Sequence, residues 1–304
     1  MKPRPEIRIR GRILYDEGMA GHTSFKTGGP AEIFALPADR EDLLTLVDLL
    51  HRRGLPYFLL GRGTNLLVSD RGIRGAVIDT AELQEWRSEP GRLYAGSGQD
   101  LSRLAWETGI RGWGGLEAFY ALPGSLGGSL WMNARCYEVS LSEVLLSVDY
   151  YDPRQGWGEM NVLAGEEGGF GYKRSPFQDR PGTVILGAVI RLGEADPEAL
   201  KQRMLDCEAD RRAKGHFAAP SAGSVFKNSR ALGKPSGKII DELGLKGLRL
   251  GGAMVSPRHG NIIYNTGNAS SGDIAALILK IKEEVYRSTG WTLEEEILYA
   301  GDWS

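Results

Sequence analysis

The chain has 304 residues, a length typical of two or three small domains. Hydrophobic residues make up 41% of the chain and charged residues 25%, which excludes an intrinsically disordered protein. The formal net charge of -2 lacks the basic excess of a nucleic-acid-binding protein. No apolar run approaches the roughly 18 residues of a membrane helix, and the N-terminus lacks the apolar stretch of a signal peptide. We therefore expect a cytoplasmic protein without nucleic-acid or membrane partners.

Cysteine and histidine are too few and too scattered to predict a metal site. Cys136 and Cys207 are expected to be inert thiols in a reducing compartment. None of the four histidines is spaced as a metal-binding pair, so no metal is predicted. Glycine is the unusual residue, because 42 glycines are about twice the usual share of roughly 7%. So many glycines indicate either tight turns or backbone that lies close to a ligand.

The start of the chain predicts a mixed helix and strand domain. Residues 41–53 carry leucine and valine at helical spacing, and Gly54 follows them, which predicts an amphipathic helix. Short apolar runs predict strands at residues 56–60, 66–68 and 76–78. This order of elements favours an α/β or α+β domain.

The middle of the chain has a different pattern. Residues 81–192 hold short apolar runs separated by Gly and Pro, which predicts a mainly antiparallel sheet with few helices. Asp196 and Pro197 form a good helix start, and that helix is expected to end near Gly215. Residues 215–223 are rich in small side chains and indicate a domain boundary.

The C-terminal part again mixes helices and strands. Ser270 and Asp273 form a capping box at the start of a last amphipathic helix, which Gly290 ends. The elements predicted before this helix are a helix near 236–244 and strands near 252–255 and 261–264.

Glycine clusters in the N-terminal half are candidate phosphate sites. They lie at residues 28–29, 60–65, 95–98 and 122–128. Successive backbone N–H groups in such turns form concave anion sites, and Thr64, Asn65 and Ser125 would add side-chain donors. Any one cluster is more typical of a structural turn, whereas several together favour an extended ligand that carries phosphate. The sequence has no complete dinucleotide fingerprint, no P-loop and no nucleophile elbow.

Two polar groups near the C-terminus are candidates for chemistry. Ser224 is followed closely by Lys227 and Asn228, so a hydroxyl stands near a cation. A lone Ser is more often a turn or cap residue, and a run of glutamates is more often a solvated face. Strand alternation would nevertheless point Glu294 and Glu296 the same way, so one of them is a candidate to face a cleft.

Seven blocks between Thr23 and Gly301 form an ordered set. They are TSFKTGGPA, LGRGTNLLVSD, LPGSLGGSLWMNA, SAGSVFKN, KIIDELGLKG, GGAMVSPRHGNIIYN and LEEEI. In this order they resemble the UDP-N-acetylenolpyruvoylglucosamine reductases (UDP-N-acetylmuramate dehydrogenases), flavoenzymes of bacterial peptidoglycan synthesis. The chain length resembles the shorter of the two types in that family.

The resemblance implies an α+β fold. It predicts two FAD-binding subdomains of the vanillyl-alcohol oxidase (PCMH) type and a C-terminal α/β substrate-binding domain. The implied ranges are 1–80 and 81–215 for the two FAD-binding subdomains and 216–304 for the substrate-binding domain, with the last strand returning to the first subdomain.

The resemblance also implies the reaction. NADPH donates hydride through non-covalently bound FAD, and the small-molecule substrate UDP-N-acetylglucosamine-enolpyruvate is reduced to UDP-N-acetylmuramate, the second committed step of peptidoglycan precursor synthesis. An enolate-like state needs positive charge or hydrogen-bond donors, and a general acid must protonate the α-carbon. By resemblance Ser224 is that acid, and Glu296 in a pattern like L-E-x-E polarises the substrate from the far end.

The same resemblance assigns binding residues. Those implied for substrate are Tyr172, Lys227, Asn228 and His259. Those implied for FAD are Gly61, Arg62, Gly63, Thr64, Asn65, Leu66, Ser97, Gly98, Pro123, Gly124, Ser125, Gly127, Gly128, Asn133 and Ala134.

One motif departs from the family pattern G-Y-R-x-S, in which the Arg grips the substrate. Aligning on Tyr172 and Ser175 puts Lys173 at the Arg position, whereas aligning by chemistry selects Arg174. We favour Lys173 as the catalytic cation, because on a strand Arg174 would face the opposite way. A loop that lets Arg174 reach the substrate is the alternative.

Two other functions stay open at this point. One is a flavin oxidase or dehydrogenase that shares only the FAD-binding half, and the blocks around Ser224, Asn228 and Glu296 argue against it. The other is a catalytically inactive nucleotide-binding module, which only the Lys173 position favours. No protein partner follows from the sequence.

Overall fold

The structure is a computed structural model that describes residues 7–162, 168–229 and 232–304. Its helices are α1 (Arg40–Arg52), α2 (Leu101–Gly109), α3 (Leu126–Trp131), α4 (Pro197–Ala213), α5 (Ser236–Glu242) and α6 (Ser271–Thr289). Its strands are β1 (Arg12–Gly18), β2 (Pro30–Leu36), β3 (Tyr57–Leu60), β4 (Leu66–Val68), β5 (Ile73–Asp79), β6 (Trp86–Glu89), β7 (Arg92–Gly96), β8 (Trp113–Gly114), β9 (Arg135–Cys136), β10 (Val139–Ser140), β11 (Leu145–Asp152), β12 (Gly156–Asn161), β13 (Val184–Arg191), β14 (Gly193–Glu194), β15 (Arg249–Leu250), β16 (Ala253–Val255), β17 (Ile263–Asn265) and β18 (Leu298–Ala300). Within the described ranges, no helix has the length and apolar character needed to cross a membrane.

The chain forms two compact units and passes repeatedly from one to the other. Unit 1 takes the described residues within 1–16, 33–62 and 75–207. Unit 2 takes those within 17–32, 63–74 and 208–304. The three-domain division with boundaries after residues 80 and 215 stays a prediction.

Unit 1 contains a five-stranded sheet in the order β12-β11-β13-β7-β6. Every neighbouring pair is antiparallel, which confirms the sheet predicted for the middle of the chain. The sheet shares a buried core with α2 and α3, including Leu93, Leu104, Leu126 and Ile190. The sequence analysis located neither helix, because both are short and α3 is rich in glycine.

The helix α1 confirms the prediction for residues 41–53. Its apolar stripe is buried against the strands β2 and β5 within unit 1. Those strands belong to a four-stranded sheet in the order β1-β2-β5-β3, in which β3 and β5 run parallel. The carboxylate of Asp39 accepts a hydrogen bond from the backbone N–H of Asp42 at 3.0 Å and caps the helix.

Unit 2 is built around α6. The apolar face of this helix packs with α5 and the antiparallel sheet β15-β16-β17 around one buried core. Gly290 ends α6 with a φ of 72°, which is the left-handed conformation that glycine adopts without strain. The last strand, β18, runs parallel to β4, so the C-terminus pairs with residues from the first 80.

Two acidic side chains fix the start of α6. The predicted capping box is present, with Ser270 Oγ accepting from Asp273 N–H and the carboxylate of Asp273 accepting from Ser270 N–H. Backbone N–H groups of Gly252 and Ser270 hold the pKa of Asp273 below its usual range. Asp70, which follows β4, accepts from the N–H groups of the first two helix residues at 2.9 Å each. These bonds satisfy donors that a helix start otherwise leaves unpaired.

Replacing Leu277 by Ala tests how much the core of unit 2 depends on α6. Leu277 is fully buried, so the truncation should cost about 2–5 kcal/mol of unfolding free energy through lost burial and an unfilled cavity. Leu279 lies on the same helix but is 58% exposed, and its replacement by Ala should change stability by less than about 0.5 kcal/mol. Urea unfolding followed by tryptophan fluorescence measures both variants. Equal losses in the two variants would contradict the packing described here.

Candidate active site

Three loops of unit 1 approach one another closely enough to require glycine. A Cβ added to Gly61, after β3, would lie 2.2 Å from the hydroxyl of Ser125. A Cβ added to Gly127, in the first turn of α3, would lie 2.7 Å from the Cβ of Ser97. The loops after β3 and β7 and the loop before α3 therefore share one location within unit 1.

The backbone N–H groups of these loops divide into two sets. Gly98 donates to the carbonyl of Leu83, and residues 126–128 donate to Gln99, Ser97 and Ser125, so these groups serve the frame of the loops. Among the residues that the structure describes, the N–H groups of Gly61, Arg62, Gly124 and Ser125 donate to no protein acceptor. Within these loops of unit 1, the backbone N–H groups that remain candidates for binding an anion are therefore those of residues 61–62 and 124–125.

Several predicted cofactor residues have contacts of their own. Arg62 forms an ion pair with Asp100 at 3.1 Å, and more than half of the Arg62 side chain is exposed. Asn133 is buried with a φ of 43°, donates to the carbonyl of Gly171 at 2.8 Å and accepts from Ser142 N–H at 3.0 Å. Asn133 therefore ties the end of α3 to the segment that carries the candidate cation.

The other predicted cofactor residues are residues 63–66, which follow β3 along the chain and belong to unit 2, and Pro123 and Ala134, which lie on either side of α3. Gly63 has a φ of 60°, and a Cβ there would lie 2.0 Å from the carbonyl oxygen of His22, so only glycine fits. Asn65 donates from Nδ2 to the carbonyl of Glu296 at 3.1 Å. Thr64 lies two residues before Leu66, the first residue of β4. Pro123 precedes Gly124 in the loop before α3. Ala134 follows α3, and its backbone N–H donates to the carbonyl of Ser129 in that helix.

The segment of the candidate cation is a tight turn, which corrects the strand assumed from the sequence. Gly171 and Arg174 exchange two backbone hydrogen bonds, of 3.0 and 3.1 Å, around Tyr172 and Lys173. Lys173 has a φ of 57° and is half-buried. Arg174 is exposed and forms an ion pair with Asp179 at 2.9 Å. Strand alternation therefore cannot decide whether Lys173 or Arg174 faces a substrate. The ion pair with Asp179 fixes where the guanidinium of Arg174 lies in this structure.

The segments that carry the predicted general acid Ser224 and the predicted glutamate Glu296 pair through their backbones in unit 2. The backbone N–H of Glu296 donates to the carbonyl of Val225 at 2.7 Å, and Lys227 N–H donates to the carbonyl of Glu294 at 2.8 Å. In this antiparallel register Glu296 stands opposite Val225, the residue that follows Ser224, so alternation places the Ser224 and Glu296 side chains on opposite faces of the pair. Ser224 itself is half-buried and pairs with Ile262 on its other side.

The three successive glutamates have different surroundings. Glu294 forms an ion pair with Lys227 at 2.5 Å, and Glu295 forms one with Lys282 at 2.7 Å. Because side chains alternate along a strand, Glu294 and Glu296 share one face with Lys227, as the sequence predicted for the two glutamates.

Asn261 is a site residue that the sequence analysis missed. Its buried side chain accepts from Phe226 N–H and donates to the carbonyl of Phe226, both at 2.8 Å, as a neighbouring strand would. Its own carbonyl accepts from Val225 N–H at 2.9 Å. Asn261 therefore holds the segment that carries Ser224, and no local pattern signals a contact between residues so far apart in sequence.

His259 is held as a neutral ring. Its Nδ1 accepts from Asn261 N–H at 3.1 Å, which places the proton of the neutral imidazole on Nε2. Burial, and then the charge of Lys214, lower the pKa of His259. The neighbouring His216 ring lies 6.0 Å away, and burial together with Arg211 lowers its pKa to about 3. His259 thus presents a donor to any ligand that reaches Nε2.

Comparisons with known proteins identify the family. Curated UDP-N-acetylenolpyruvoylglucosamine reductases of Geobacter metallireducens and Treponema denticola are 42% and 40% identical to this chain. The alignments cover 98% and 96% of this chain and 97% and 95% of the relatives. The chain belongs to this reductase family.

Family models and a solved structure agree with that assignment. Residues 31–156 match a model described as an FAD binding domain, and residues 215–300 match the C-terminal domain of UDP-N-acetylenolpyruvoylglucosamine reductase. The crystal structure of the reductase from Thermus caldophilus has a TM-score of 0.79 and 31% identity and covers 96% of this chain and 100% of its own. The predicted fold, with its FAD-binding and C-terminal parts, is confirmed.

The residues of unit 1 fit the cofactor FAD. The glycines at 61 and 127 let the three loops pack against one another, and the N–H groups at 61–62 and 124–125, which have no acceptor among the described residues, suit phosphate oxygens. Ser97 Oγ is buried without a hydrogen-bond partner within the described part of the chain, a cost that a bound ligand would relieve. The protein is an FAD-dependent oxidoreductase. Outside the undescribed segments, no cluster of three or more His, Cys, Asp or Glu side chains could hold a metal.

Replacing Gly127 by Ala tests the cofactor loops. The new Cβ would collide with the Cβ of Ser97, so the start of α3 must move away from the loop after β7. We expect at least about a tenfold weaker affinity for FAD, equivalent to about 1.4 kcal/mol. Gly193→Ala is the control, because its new Cβ would have no atom within 4 Å. Titration of each apoprotein with FAD, followed by flavin fluorescence, measures both, and unchanged affinity in the Gly127 variant would contradict this role.

Proposed function

We propose that this enzyme reduces the enolpyruvyl group of UDP-N-acetylglucosamine-enolpyruvate to give UDP-N-acetylmuramate. NADPH is the hydride donor, FAD is bound non-covalently, and the reaction is the second committed step of peptidoglycan precursor synthesis in the cytoplasm. The observation that carries the proposal is the pairing of the Ser224 and Glu296 segments in a chain that also matches an FAD binding domain. An oxidase that shared only the FAD-binding half would not need these two segments.

The reaction makes two demands on the protein. When bound, FAD carries the hydride from NADPH to the β-carbon of the enol ether. Negative charge then develops at the α-carbon and its carboxylate, and donors placed at that charge lower the barrier. The α-carbon must also receive a proton, which needs a positioned acid.

Ser224 and Glu296 meet these demands in the proposal. Ser224 Oγ delivers the proton to the α-carbon, and Glu296 polarises the substrate from its far end. The backbone bond between Glu296 and Val225 fixes the spacing of the two segments. Asn228 and His259 add donors for the oxygens of the substrate.

Lys173 is the proposed cation for the developing charge. It is half-buried at the tip of a tight turn, and the exposed Arg174 that follows it forms an ion pair with Asp179. An ammonium group is a compact point charge without the fork of a guanidinium. Lys173 therefore stabilises charge but orients a carboxylate less strictly than Arg would. Tyr172, which is beside it in the turn, and Lys227 complete the proposed substrate contacts.

The proposed reaction is tested with the purified holoenzyme and a visible spectrum. NADPH should bleach the yellow flavin without oxygen, and the enolpyruvyl substrate should restore the colour with formation of UDP-N-acetylmuramate. Acid precipitation should release the colour into the supernatant, because the flavin is not tethered. Reoxidation by oxygen but not by the substrate would support an oxidase instead, and a protein that refuses FAD would overturn the proposal.

Replacing Ser224 by Ala separates the two half-reactions. Reduction of FAD by NADPH should stay nearly normal, because the hydroxyl acts only when the α-carbon is protonated. Reoxidation by the substrate should slow by roughly 10²–10⁴-fold, the usual contribution of a positioned acid and equivalent to about 3–5 kcal/mol. Stopped-flow absorbance measures both steps, with Ser221→Ala as the control from the same segment. An unchanged reoxidation rate would return Ser224 to a structural role.

Alanine at residues 173 and 174 decides which cation binds the substrate. Lys173→Ala should lower kcat/KM by about 10²-fold or more, in the range for removal of one charge-stabilising donor. Arg174→Ala should cost much less, because the structure gives Arg174 an exposed ion pair with Asp179. Steady-state kinetics ranks the two variants. The opposite ranking would assign the role to Arg174, and small losses in both would point to Lys227.

A further inference from the structure

Asn261 bonds each of the three successive peptides that follow Ser224. Its backbone carbonyl accepts from Val225 N–H at 2.9 Å, and that N–H belongs to the peptide that links Val225 to Ser224. Its side-chain oxygen accepts from the N–H of Phe226, and its side-chain nitrogen donates to the carbonyl of Phe226, each at 2.8 Å. Asn261 is buried, so water does not compete for these bonds.

The other ends of two of these peptides bond the backbone of residues 294–296. The carbonyl of Val225 accepts from an N–H of that stretch at 2.7 Å, and Lys227 N–H donates to one of its carbonyls at 2.8 Å. Because a peptide unit is planar, bonds at both of its ends fix its orientation. The segment after Ser224 therefore cannot rotate without breaking its bonds to Asn261 and to residues 294–296 together.

The side-chain amide of Asn261 extends a backbone pairing that ends at this residue. Ser224 pairs with Ile262 in an antiparallel bridge. Residues 259–262 form a tight turn, in which Ile262 N–H donates to the carbonyl of His259 at 3.1 Å. An asparagine amide carries an acceptor and a donor, as a backbone stretch does, so from this turn it supplies the next two bonds of the ladder.

We propose that Asn261 is a positioning residue for proton delivery by Ser224, because its side-chain amide holds the peptides after Ser224 in one orientation. Proton transfer needs hydrogen-bond distance, and a displacement of about 1 Å can cost about 10²-fold in rate. The proposal rests on the proposed function, because the orientation of Ser224 matters only if its hydroxyl delivers the proton. Asn261 acts through Ser224 and touches no reacting atom.

Two substitutions remove side-chain bonds and leave the backbone bond to Val225 in place. Asn261→Ala removes both bonds to Phe226. Asn261→Asp has nearly the same shape and keeps an acceptor for the N–H of Phe226, but it puts an oxygen in place of the donor to the Phe226 carbonyl. The Asp variant therefore tests the same contact without a cavity, even where the Ala variant does not yield folded holoenzyme.

The measured quantity is the rate constant of flavin reoxidation at saturating enolpyruvyl substrate, in single turnovers of the NADPH-reduced holoenzyme. It should fall at least about tenfold in both variants. The substrate Kd should stay within about threefold and FAD reduction by NADPH within about twofold, because neither uses the proton of Ser224. An unchanged reoxidation rate in both variants would overturn the proposal, as would equal losses in the two half-reactions.

Asn265→Ala is the matched control. Asn265 is also buried in unit 2, and its side chain donates to the carbonyl of Phe25 at 2.8 Å and accepts from Gly267 N–H at 2.9 Å. Neither partner belongs to the segment of Ser224. Urea unfolding should show similar losses of stability for alanine at 261 and 265, whereas only the change at Asn261 should slow reoxidation. Equal slowing in the control would overturn the proposal, because any buried asparagine would then have the effect.

A double-mutant cycle tests whether Asn261 acts through Ser224. In a Ser224→Ala background, Asn261→Ala should slow reoxidation by less than about twofold, because the group that it positions is gone. A full additional effect in that background would overturn the proposal.

The single change Ser224→Ala distinguishes a failure of the proposed function from a failure of this inference. If Ser224→Ala leaves reoxidation unchanged, Ser224 is not the acid, and both are overturned. If Ser224→Ala slows reoxidation while both Asn261 variants react at the wild-type rate, the proposed function stands and this inference alone is overturned.

Discussion

The segment that carries Ser224 depends on hydrogen bonds from two neighbours. On one side the side chain of Asn261 forms hydrogen bonds with the N–H and the carbonyl of Phe226. On the other side the N–H of Glu296 donates to the carbonyl of Val225, and the N–H of Lys227 donates to the carbonyl of Glu294. Each bond contributes about 0.5–1.5 kcal/mol net, but a buried backbone group left without its partner costs more. Because the side chains of Val225 and Phe226 are also buried, the segment has neither space nor spare partners for another register. The spacing of Ser224 and Glu296 follows from this constraint.

A short stretch from the first part of the chain braces the same region of unit 2. Asn65 bonds the carbonyl of Glu296, β4 pairs with β18 immediately after it, and Asp70 caps the helix α6. The stretch 63–74 thus contacts the C-terminal strand on one end and the main helix of the core on the other. A sequence block that looks like a cofactor loop therefore also has a structural function, and its residues cannot be assigned to FAD on pattern alone. The close approach of Gly63 to the carbonyl of His22 illustrates the same point.

The sequence predicted those parts of the structure in which local signals agree with the tertiary contacts. The apolar stripe of α1 is a periodic feature and the capping box of α6 is a local one, and the sequence predicted both correctly. The turn at Lys173 was missed because a non-glycine residue with positive φ carries no sequence signal, and strand alternation was assumed instead. Asn261 was missed because its partner, Phe226, lies 35 residues away, so only the folded chain brings them together. The blocks that resemble the reductase family identified the cofactor, which no periodicity could have done.

Ion pairs compensate part of the negative charge of the three glutamates near Ser224. Lys227 pairs with Glu294, and Lys282 pairs with Glu295, so two of the three carboxylates have a cation beside them. In the same part of unit 2, His259 has its proton on Nε2, and Asn228 Oδ1 accepts from the N–H of Ser236. In the proposed function, these ion pairs would reduce the repulsion that an anionic substrate meets from Glu294 and Glu295. Backbone N–H groups hold the ring of His259 and the amide of Asn228 in place, so in the proposed function little of the substrate binding free energy would be lost in ordering these two side chains.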